Sequence, residues 1–200
     1  LFDRFGIAES SGKGKSLLVI GGAGGVGSLT IQLARKLTDL TVIATASRPE
    51  TAEWCREMGA HEIVDHRDLV AEVQGKGFET VEYIANYADT SQHWDAMSTL
   101  VAPQGKLGCI VETDDLIDVT SLQGKSASLH WELMFTRSMF GTDDVARQHD
   151  ILNRIADLVE SGDIRSTLRQ TLNGFSADVL KDGHRIIETG QVFGKLVIEY

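Results

Sequence analysis

Five glycines within seven positions are the feature that most restricts how this chain can fold. They occupy positions 21–27, GGAGGVG, directly after the apolar run Leu17–Ile20. Glycine loses more backbone entropy on folding than any other residue, so a cluster of this density must serve a specific turn or a ligand. The apolar run predicts a strand buried on both faces, and apolar residues at helical spacing after the glycines predict a helix.

The glycines fall in G-x-G-x-x-G register, the fingerprint of a dinucleotide-binding turn when it joins a strand to a helix. In that reading the first glycine permits the tight turn, the second lets a pyrophosphate approach, and the third lets the helix pack on the strand. The helix N-terminus offers N–H groups to the phosphates. The predicted coenzyme-binding residues are therefore Gly22, Gly24, Gly25, Val26 and Gly27. The alternative is a strand–turn–helix whose glycines serve packing alone.

Strand and helix patterns alternate through the first two thirds of the chain. Strands are predicted at 17–20, 41–45, 62–64, 81–85, 106–111 and 128–135. The alternation predicts an α/β fold with a parallel sheet and helices on both faces, and right-handed crossovers favour the doubly wound Rossmann order. We predict one Rossmann domain over 1–200, with a six-stranded sheet in a core of about 15–140. Further helices and strands are predicted over 141–200.

The end of the second predicted strand indicates which dinucleotide binds. An NAD site usually carries an acidic residue about 20 positions after the glycines, for the ribose hydroxyls. Here that place holds Ser47 and Arg48, without an acid. A hydroxyl followed by a guanidinium suits the 2′-phosphate of NADP. The alternative is structural, because Ser47 and Glu50 have the spacing of a helix capping box, which would leave Arg48 in solvent.

Two other polar residues are predicted beside the coenzyme. Asn86 ends the fourth strand, and ligands of open α/β sheets bind outside the carboxyl ends of strands. His66 follows the third strand, from where it could reach the adenosine phosphate. The alternatives are an asparagine that orders a turn and a solvated loop histidine. We assign no catalytic acid or base and no metal site, since no set of side chains shows a suitable spacing.

Composition excludes several classes of protein. A net charge of −10 and a pI near 5.0 argue against a nucleic-acid or membrane-surface binder. No apolar run approaches the roughly 18 residues of a membrane span. Cys55 and Cys109 are far apart and without metal-ligand spacing, so we expect buried, reduced thiols and a cytoplasmic protein.

Other nucleotide-binding families fit the residues less well. None of the three tyrosines is followed by lysine in the Tyr-x-x-x-Lys arrangement of short-chain dehydrogenases. A flavin or S-adenosylmethionine site would usually have an acidic residue after the second strand. A non-enzymatic dinucleotide-sensing module and a methyltransferase-like fold remain the alternatives.

The chain resembles the nucleotide-binding part of a medium-chain dehydrogenase/reductase, in the quinone oxidoreductase-like branch often labelled zinc-type alcohol dehydrogenase-like. The matching segments are DRFGI (3–7), LLVIGGAGGVGS (17–28), VIATASRPET (42–51), APQGKLG (102–108), SLHWELMFTRSMF (128–140) and GKLVIEY (194–200). The resemblance implies an NADPH-dependent reductase of a quinone, an enone or another activated carbonyl. It also implies an N-terminal GroES-like domain that binds most of the substrate. We expect that domain to be absent from this chain, which begins with Leu1 and not Met, in a stretch, LFDRFGI, that reads like the middle of a longer protein.

The resemblance carries further expectations about the site and the assembly. The active site would lie between the two domains, the zinc ligands of true alcohol dehydrogenases would belong to the other domain, and 135–137 would approach the nicotinamide. The strand at 128–135 would join two subunits into a homodimer, with Trp131 at the interface. The alternative is a Trp131 covered by a helix of its own chain. We expect the isolated chain to bind coenzyme and to turn over poorly or not at all.

Overall fold

Eight strands and eight α-helices make up the computed structural model, which describes residues 1–200. The strands are β1 (Ser16–Ile20), β2 (Thr41–Thr45), β3 (Glu62–Val64), β4 (Val81–Asn86), β5 (Val101–Cys109), β6 (Ser128–Trp131), β7 (Leu168–Asn173) and β8 (Lys195–Glu199). The α-helices are α1 (Phe2–Phe5), α2 (Gly25–Leu37), α3 (Pro49–Glu57), α4 (Leu69–Gly75), α5 (Thr90–Leu100), α6 (Thr136–Phe140), α7 (Arg147–Glu160) and α8 (Ala177–Glu188). None of these helices is long and apolar enough to cross a membrane.

The main sheet is parallel and has the strand order β3-β2-β1-β4-β5-β6. This is the doubly wound Rossmann order, so the predicted fold class is confirmed. The direction of winding reverses between β1 and β4, which lie side by side in the sheet. Ligands of such sheets bind in the crevice at that reversal, outside the carboxyl ends of the strands.

The strand β1 shows why the chain needs helices on both faces. All five of its residues are buried. Leu17 and Val19 pack into a core that α2 and α3 cover, whereas Leu18 and Ile20 pack into a second core that α4 and α5 cover. Because successive side chains of a strand point to opposite faces, a wholly apolar strand can be satisfied only between two layers.

Two predicted strands have different ends in the structure. The fifth, expected at 106–111, begins at Val101 and stops at Cys109, with an irregularity where Gln104 has φ +61°. The sixth, expected at 128–135, leaves the sheet after Trp131. The carbonyl of Leu133 accepts a hydrogen bond from the N–H of Thr136 at 3.0 Å, in the turn that leads to α6. The polar–apolar alternation of this segment therefore continues past the last paired residue.

Residues 168–199 form a second, smaller sheet with its own helix. β7 and β8 pair in a two-stranded parallel sheet, and α8 connects them and packs on it. The chain just before β8 returns to the main sheet, where the N–H of Gly194 donates to the carbonyl of Ala23 at 2.8 Å. The small unit is thereby attached to the glycine turn.

Candidate functional site

The left-handed residue of the glycine turn is Gly21, which has φ +79°. A Cβ atom on it would lie 3.3 Å from the carbonyl carbon of Tyr87. Gly22 has an ordinary φ, but a Cβ there would lie 2.9 Å from the Cβ of Ala44 in β2. The N–H of Gly24 donates to the carbonyl of Gly21 at 3.1 Å, so the tight turn encloses Gly22 as predicted, and the residue before it, Gly21, has the left-handed backbone. Gly22 is required because the turn packs closely against the neighbouring strand.

Gly27 has the role that the motif predicts, close packing of helix on turn. A Cβ atom at this position would lie 2.2 Å from the carbonyl oxygen of Gly21 and 2.7 Å from the Cα of Gly22. Both neighbours are backbone atoms, which cannot move aside as a flexible side chain can. The start of α2 therefore approaches the turn more closely than any other amino acid allows.

The first turn of α2 leaves N–H groups available to a ligand. Gly24 caps the helix, and the first helical hydrogen bond runs from the N–H of Ser28 to the carbonyl of Gly24 at 2.8 Å. The N–H groups of Gly25, Val26 and Gly27 therefore have no helical acceptor. No acidic residue lies in this turn. The free N–H groups and the helix dipole together favour an anion here.

Two hydroxyl groups, which no sequence pattern indicated, hold the shape of the turn. The N–H of Gly21 donates to Thr45 Oγ1 at 2.9 Å, which ties the turn to the end of β2. The Ser28 hydroxyl accepts from Trp54 Nε1 at 2.7 Å and donates to the carbonyl of Ala23 at 3.3 Å. These hydrogen bonds thus hold in place the backbone that would face a phosphate.

Ser47 and Arg48 lie between β2 and α3, as predicted. The helix begins at Pro49 with Arg48 as the N-cap, so the alternative in which Ser47 caps the helix was wrong. Thr51 Oγ1 accepts from the N–H of Arg48 at 3.3 Å and donates to its carbonyl at 2.9 Å. Ser47 is exposed and has no structural hydrogen bond to maintain.

The Arg48 guanidinium lies at the surface, and two contacts hold its orientation. Its Nε lies 3.0 Å from Glu50, and its Nη2 donates to the carbonyl of Gln191 at 2.7 Å. The side chain is 32% exposed, so some of its five N–H donors remain free for another acceptor. Positions 46–48, where an NAD site usually has its acidic residue, hold Ala46, Ser47 and Arg48.

His66 follows β3, which pairs with β2, so the structure brings it to the same edge of the sheet as Arg48. Its ring centroid lies 5.9 Å from that of His93, at 87° to it. Burial lowers the pKa of His93, and the charge of His66 adds to the effect. One third of the His66 side chain is exposed. Its contact with the adenosine phosphate stays a prediction.

Asn86 is fully buried at the end of β4. Its Nδ2 donates to Thr90 Oγ1 at 3.1 Å and to the carbonyl of Ala88 at 3.3 Å, and its Oδ1 accepts from the N–H of Ala88 at 3.2 Å. These contacts agree with the alternative of an asparagine that orders its own turn. Because its polar atoms are used locally, direct binding of the coenzyme by Asn86 stays a prediction.

A groove of about 730 Å³ opens beside the glycine turn. Val26 of α2 lines it with Tyr87 and Ile110, which follow β4 and β5, and residues 1–9 and α7 line about half of it. Tyr87 accepts a hydrogen bond from Thr30 Oγ1 at 2.9 Å, and burial raises the pKa of its phenol. The predicted site thus adjoins a cavity large enough for a small molecule.

The segment 135–137 follows β6 at the same edge of the sheet. Phe135 is 55% exposed, whereas Arg137 forms ion pairs with Asp3 and Asp144, each at 2.9 Å. Its approach to a nicotinamide stays a prediction.

The strand order and the glycine turn together define a Rossmann protein of the dinucleotide-binding kind. Residues 58–198 match the zinc-binding dehydrogenases. The chain belongs to that family and is a nucleotide-binding domain of the medium-chain dehydrogenase/reductase type.

Individual proteins agree with this assignment. The chain is 41% identical to a zinc-type alcohol dehydrogenase-like protein of Staphylococcus epidermidis, over 99% of this chain and 60% of that protein. A crystal structure of a Rhizobium etli CFN 42 protein, assigned to the zinc-dependent alcohol dehydrogenases, superposes with a TM-score of 0.91 at 42% identity, over 100% of this chain and 59% of that one. The mycobacterial protein Rv1454c, complexed with NADPH, shares the fold with a TM-score of 0.78 at 22% identity, over 98% of this chain and 58% of that one. This chain thus spans about 60% of the length of the curated relative.

The family name raises the question of zinc. No group of three His, Cys, Asp or Glu side chains in these 200 residues could hold a metal ion. Cys55 and Cys109 are buried and unpaired, and burial raises the pKa of the Cys55 thiol to about 12. The residues of this chain therefore do not fit a zinc ion.

Proposed function

We propose that this chain is the coenzyme-binding part of an NADPH-dependent oxidoreductase. The observation that carries the proposal is the glycine turn, where free N–H groups at the start of α2 meet a backbone that excludes side chains. Gly25 and Val26 would hold the diphosphate through their N–H groups. The bound coenzyme would supply a hydride from its nicotinamide.

The preference for NADPH over NADH is proposed from the residues after β2. Arg48 offers charge-assisted, planar hydrogen bonding to a 2′-phosphate, and the exposed hydroxyl of Ser47 lies beside it. Positions 46–48 hold no acidic residue, and the nearby carboxylate, that of Glu50, is paired with Arg48 Nε at 3.0 Å. The neighbours support a nicotinamide coenzyme of either kind, since the mycobacterial protein is complexed with NADPH and another protein of the same fold is named an NAD-dependent alcohol dehydrogenase, so the choice rests on Arg48.

The substrate is proposed to be a quinone, an enone or another small molecule with an activated carbonyl group. The family resemblance supports this class, and the groove beside Val26 and Tyr87 has the volume for such a molecule. Most substrate contacts would come from a GroES-like domain of the full-length protein. The isolated chain would accordingly bind coenzyme and turn over poorly or not at all.

The assembly is proposed to be a homodimer, in which two copies of β6 meet. β6 is the last strand of the sheet, and Trp131 on it is 47% exposed, so its own chain covers only about half of it. Leu133 and Phe135, 51% and 55% exposed, extend the apolar surface. An uncovered edge with apolar side chains favours pairing with a second sheet.

The buried, unpaired cysteines agree with a reducing, cytoplasmic setting.

Calorimetric titration of the 200-residue chain with four ligands tests the proposal. NADPH should bind more tightly than NADH, and neither FAD nor S-adenosylmethionine should displace bound NADPH. Equal affinity for NADPH and NADH would contradict the proposed role of Arg48. Tight binding of S-adenosylmethionine without binding of NADPH would contradict the oxidoreductase assignment.

A further inference from the structure

The carbonyl of Ala23, in the middle of the glycine turn, accepts two hydrogen bonds. One comes from the hydroxyl of Ser28 at 3.3 Å and the other from the N–H of Gly194 at 2.8 Å. The same peptide group carries the N–H of Gly24, which donates to the carbonyl of Gly21 at 3.1 Å. This peptide group is therefore fixed at both ends, and it directly precedes the first turn of α2, whose free N–H groups would hold the diphosphate.

Trp54 of α3 contacts the residues that supply both hydrogen bonds. Its Nε1 donates to the Ser28 hydroxyl at 2.7 Å, and both side chains are buried. Because Ser28 accepts from the indole, its own hydroxyl hydrogen is directed towards the turn. The ring of Phe193, the residue before Gly194, lies 5.7 Å from that of Trp54 at 63°, an edge-to-face contact. One side chain thus supports both hydrogen bonds to Ala23.

Two arginines from the part of the chain that forms the smaller sheet lie over the Trp54 ring. The guanidinium carbons of Arg165 and Arg169 are each 5.4 Å from the ring centroid. Arg169, on β7, also lies 4.9 Å from the centroid of the Phe193 ring. The backbone of Arg165 is held by Gln32 of α2, which accepts from its N–H at 2.8 Å and donates to its carbonyl at 3.1 Å. The smaller sheet therefore packs on the same indole that supports the glycine turn.

Gly194 fits between the smaller sheet and the glycine turn only because it has no side chain. Its φ is +66°, and a Cβ atom on it would lie 2.5 Å from the carbonyl oxygen of Thr167 and 2.7 Å from Arg169 Cγ. The start of β7 therefore lies directly against the residue that donates to Ala23. A displacement of Arg169 would move that donor.

We infer that Trp54 is a positioning residue of the coenzyme site, through which the smaller sheet sets how tightly the glycine turn binds a diphosphate. Trp54 is 5% exposed, so it acts through Ser28 on the peptide group of Ala23 and does not contact the coenzyme. The inference rests on the proposed function and makes coenzyme affinity depend on residues 165–194. Donors that are already ordered bind an anion more tightly than donors that binding must order.

Calorimetric titration with ADP-ribose, which carries the diphosphate, tests this role. Trp54→Phe keeps an aromatic ring beside the arginines and removes the N–H that donates to Ser28. We expect it to weaken ADP-ribose about fivefold, the equivalent of one lost neutral hydrogen bond.

Trp94→Phe is the matched control for Trp54→Phe. Trp94 is 3% exposed in the core on the other face of the sheet, and its Nε1 donates to the carbonyl of Asp118 at 3.1 Å. The two variants should lose similar stability in denaturant, since each gives up one indole hydrogen bond. Trp94→Phe should nevertheless bind ADP-ribose within about twofold of the original chain.

A double-mutant cycle tests whether Trp54 acts through Ser28. Ser28→Ala should also weaken ADP-ribose, because Ala23 loses one of its two donors. Trp54→Phe should then cause no further loss of affinity in the Ser28→Ala background, since the hydrogen bond between the two side chains is already absent. A further loss of full size would contradict the route through Ser28.

Variants of Arg169 test the contribution of the smaller sheet. Arg169→Met keeps the aliphatic stem and removes the cation over both rings, so it should weaken ADP-ribose about fivefold, as for two exposed cation–π contacts. Arg169→Lys retains a cation and should restore the affinity to within about twofold of the original chain. Arg185→Met, at an exposed arginine of α8 that pairs with Asp182, is the control and should leave the affinity unchanged.

The outcomes distinguish this inference from the proposed function. If Trp54→Phe binds ADP-ribose as tightly as Trp94→Phe, or Arg169→Met as tightly as Arg185→Met, the positioning role is contradicted while the coenzyme site stands. Failure of the unmodified chain to bind both ADP-ribose and NADPH would contradict the proposed function itself. Thermal unfolding establishes that each variant is folded during titration. Should Trp54→Phe not fold, the variants at Arg169, which is exposed, decide by the same comparison.

Discussion

Gly27 faces the carbonyl oxygen of Gly21 so closely that a Cβ atom on Gly27 would lie 2.2 Å from that oxygen. The contact joins the first turn of α2 to the residue with the left-handed backbone, and both partners are main chain. The distance between helix and turn is therefore set by the absence of a side chain. The position of the free N–H groups depends on this distance.

Gly27→Ala should destabilise the chain by at least about 1–3 kcal/mol, the usual cost of overpacking, because the backbone must shift. The same shift should weaken NADPH binding by more than tenfold, about 1.4 kcal/mol. Denaturant unfolding and calorimetry measure the two effects.

Gly75→Ala is the matched control for Gly27→Ala. Gly75 lies at the end of α4, and a Cβ there meets nothing within 4 Å. Its replacement should be neutral or stabilise by up to about 1 kcal/mol, since alanine is the better helix former. Equal stability and equal coenzyme affinity of the two variants would show that the close contact at Gly27 is unimportant.

Arg48→Ala should weaken NADPH about tenfold or more and change NADH by less than about twofold, because only NADPH carries the 2′-phosphate. Arg56→Ala, at an exposed arginine of α3 that pairs with Glu53, is the control and should affect neither coenzyme. Calorimetric titration of each variant with both coenzymes gives the comparison. An equal loss for NADPH and NADH would mean that Arg48 supports the fold through Gln191.

Light scattering should give twice the chain mass of 21.8 kDa, because the edge of β6 is uncovered. Trp131→Lys places a charge on that edge and should shift the mass to the monomer. Leu116→Lys, at a fully exposed loop leucine, should leave the dimer intact. A monomeric unmodified chain at high concentration would reject this interface.

Both cysteines should be inert to thiol reagents in the native chain at about pH 8. The thiolate is the reactive form, and burial disfavours it. It raises the pKa of Cys55 to about 12 and raises that of Cys109 as well. Labelling with a chromogenic disulfide should therefore detect no thiol before unfolding and two in concentrated guanidinium chloride. Rapid labelling of the folded chain would contradict the burial of these residues.

Much of the sheet could be predicted from the sequence because its strands are short, apolar and separated by helical patterns. β2 and β3 begin and end where they were expected. The end of β6 could not be predicted, because the alternation at 132–135 continues in residues that turn away from the sheet. The separate pairing of β7 with β8 depends on contacts that periodicity does not encode.

The site was predictable where one local segment forms it and not where distant segments meet. The G-x-G-x-x-G spacing located the turn and placed Gly22 in it, but the left-handed residue, Gly21, precedes the motif and lies against Tyr87. Neither the hydrogen bond of Gly21 to Thr45 nor that of Gly194 to Ala23 leaves a pattern in the sequence. The fold alone brings these residues together.

A crystal structure of the chain with saturating NADPH would show whether the glycine turn holds the diphosphate. We expect diphosphate oxygens at about 2.7–3.1 Å from the backbone nitrogens of Gly25 and Val26, within hydrogen-bond range. We expect the 2′-phosphate beside Ser47 and Arg48. Coenzyme bound elsewhere, or a glycine turn without a diphosphate at saturating NADPH, would contradict the coenzyme site proposed for this chain.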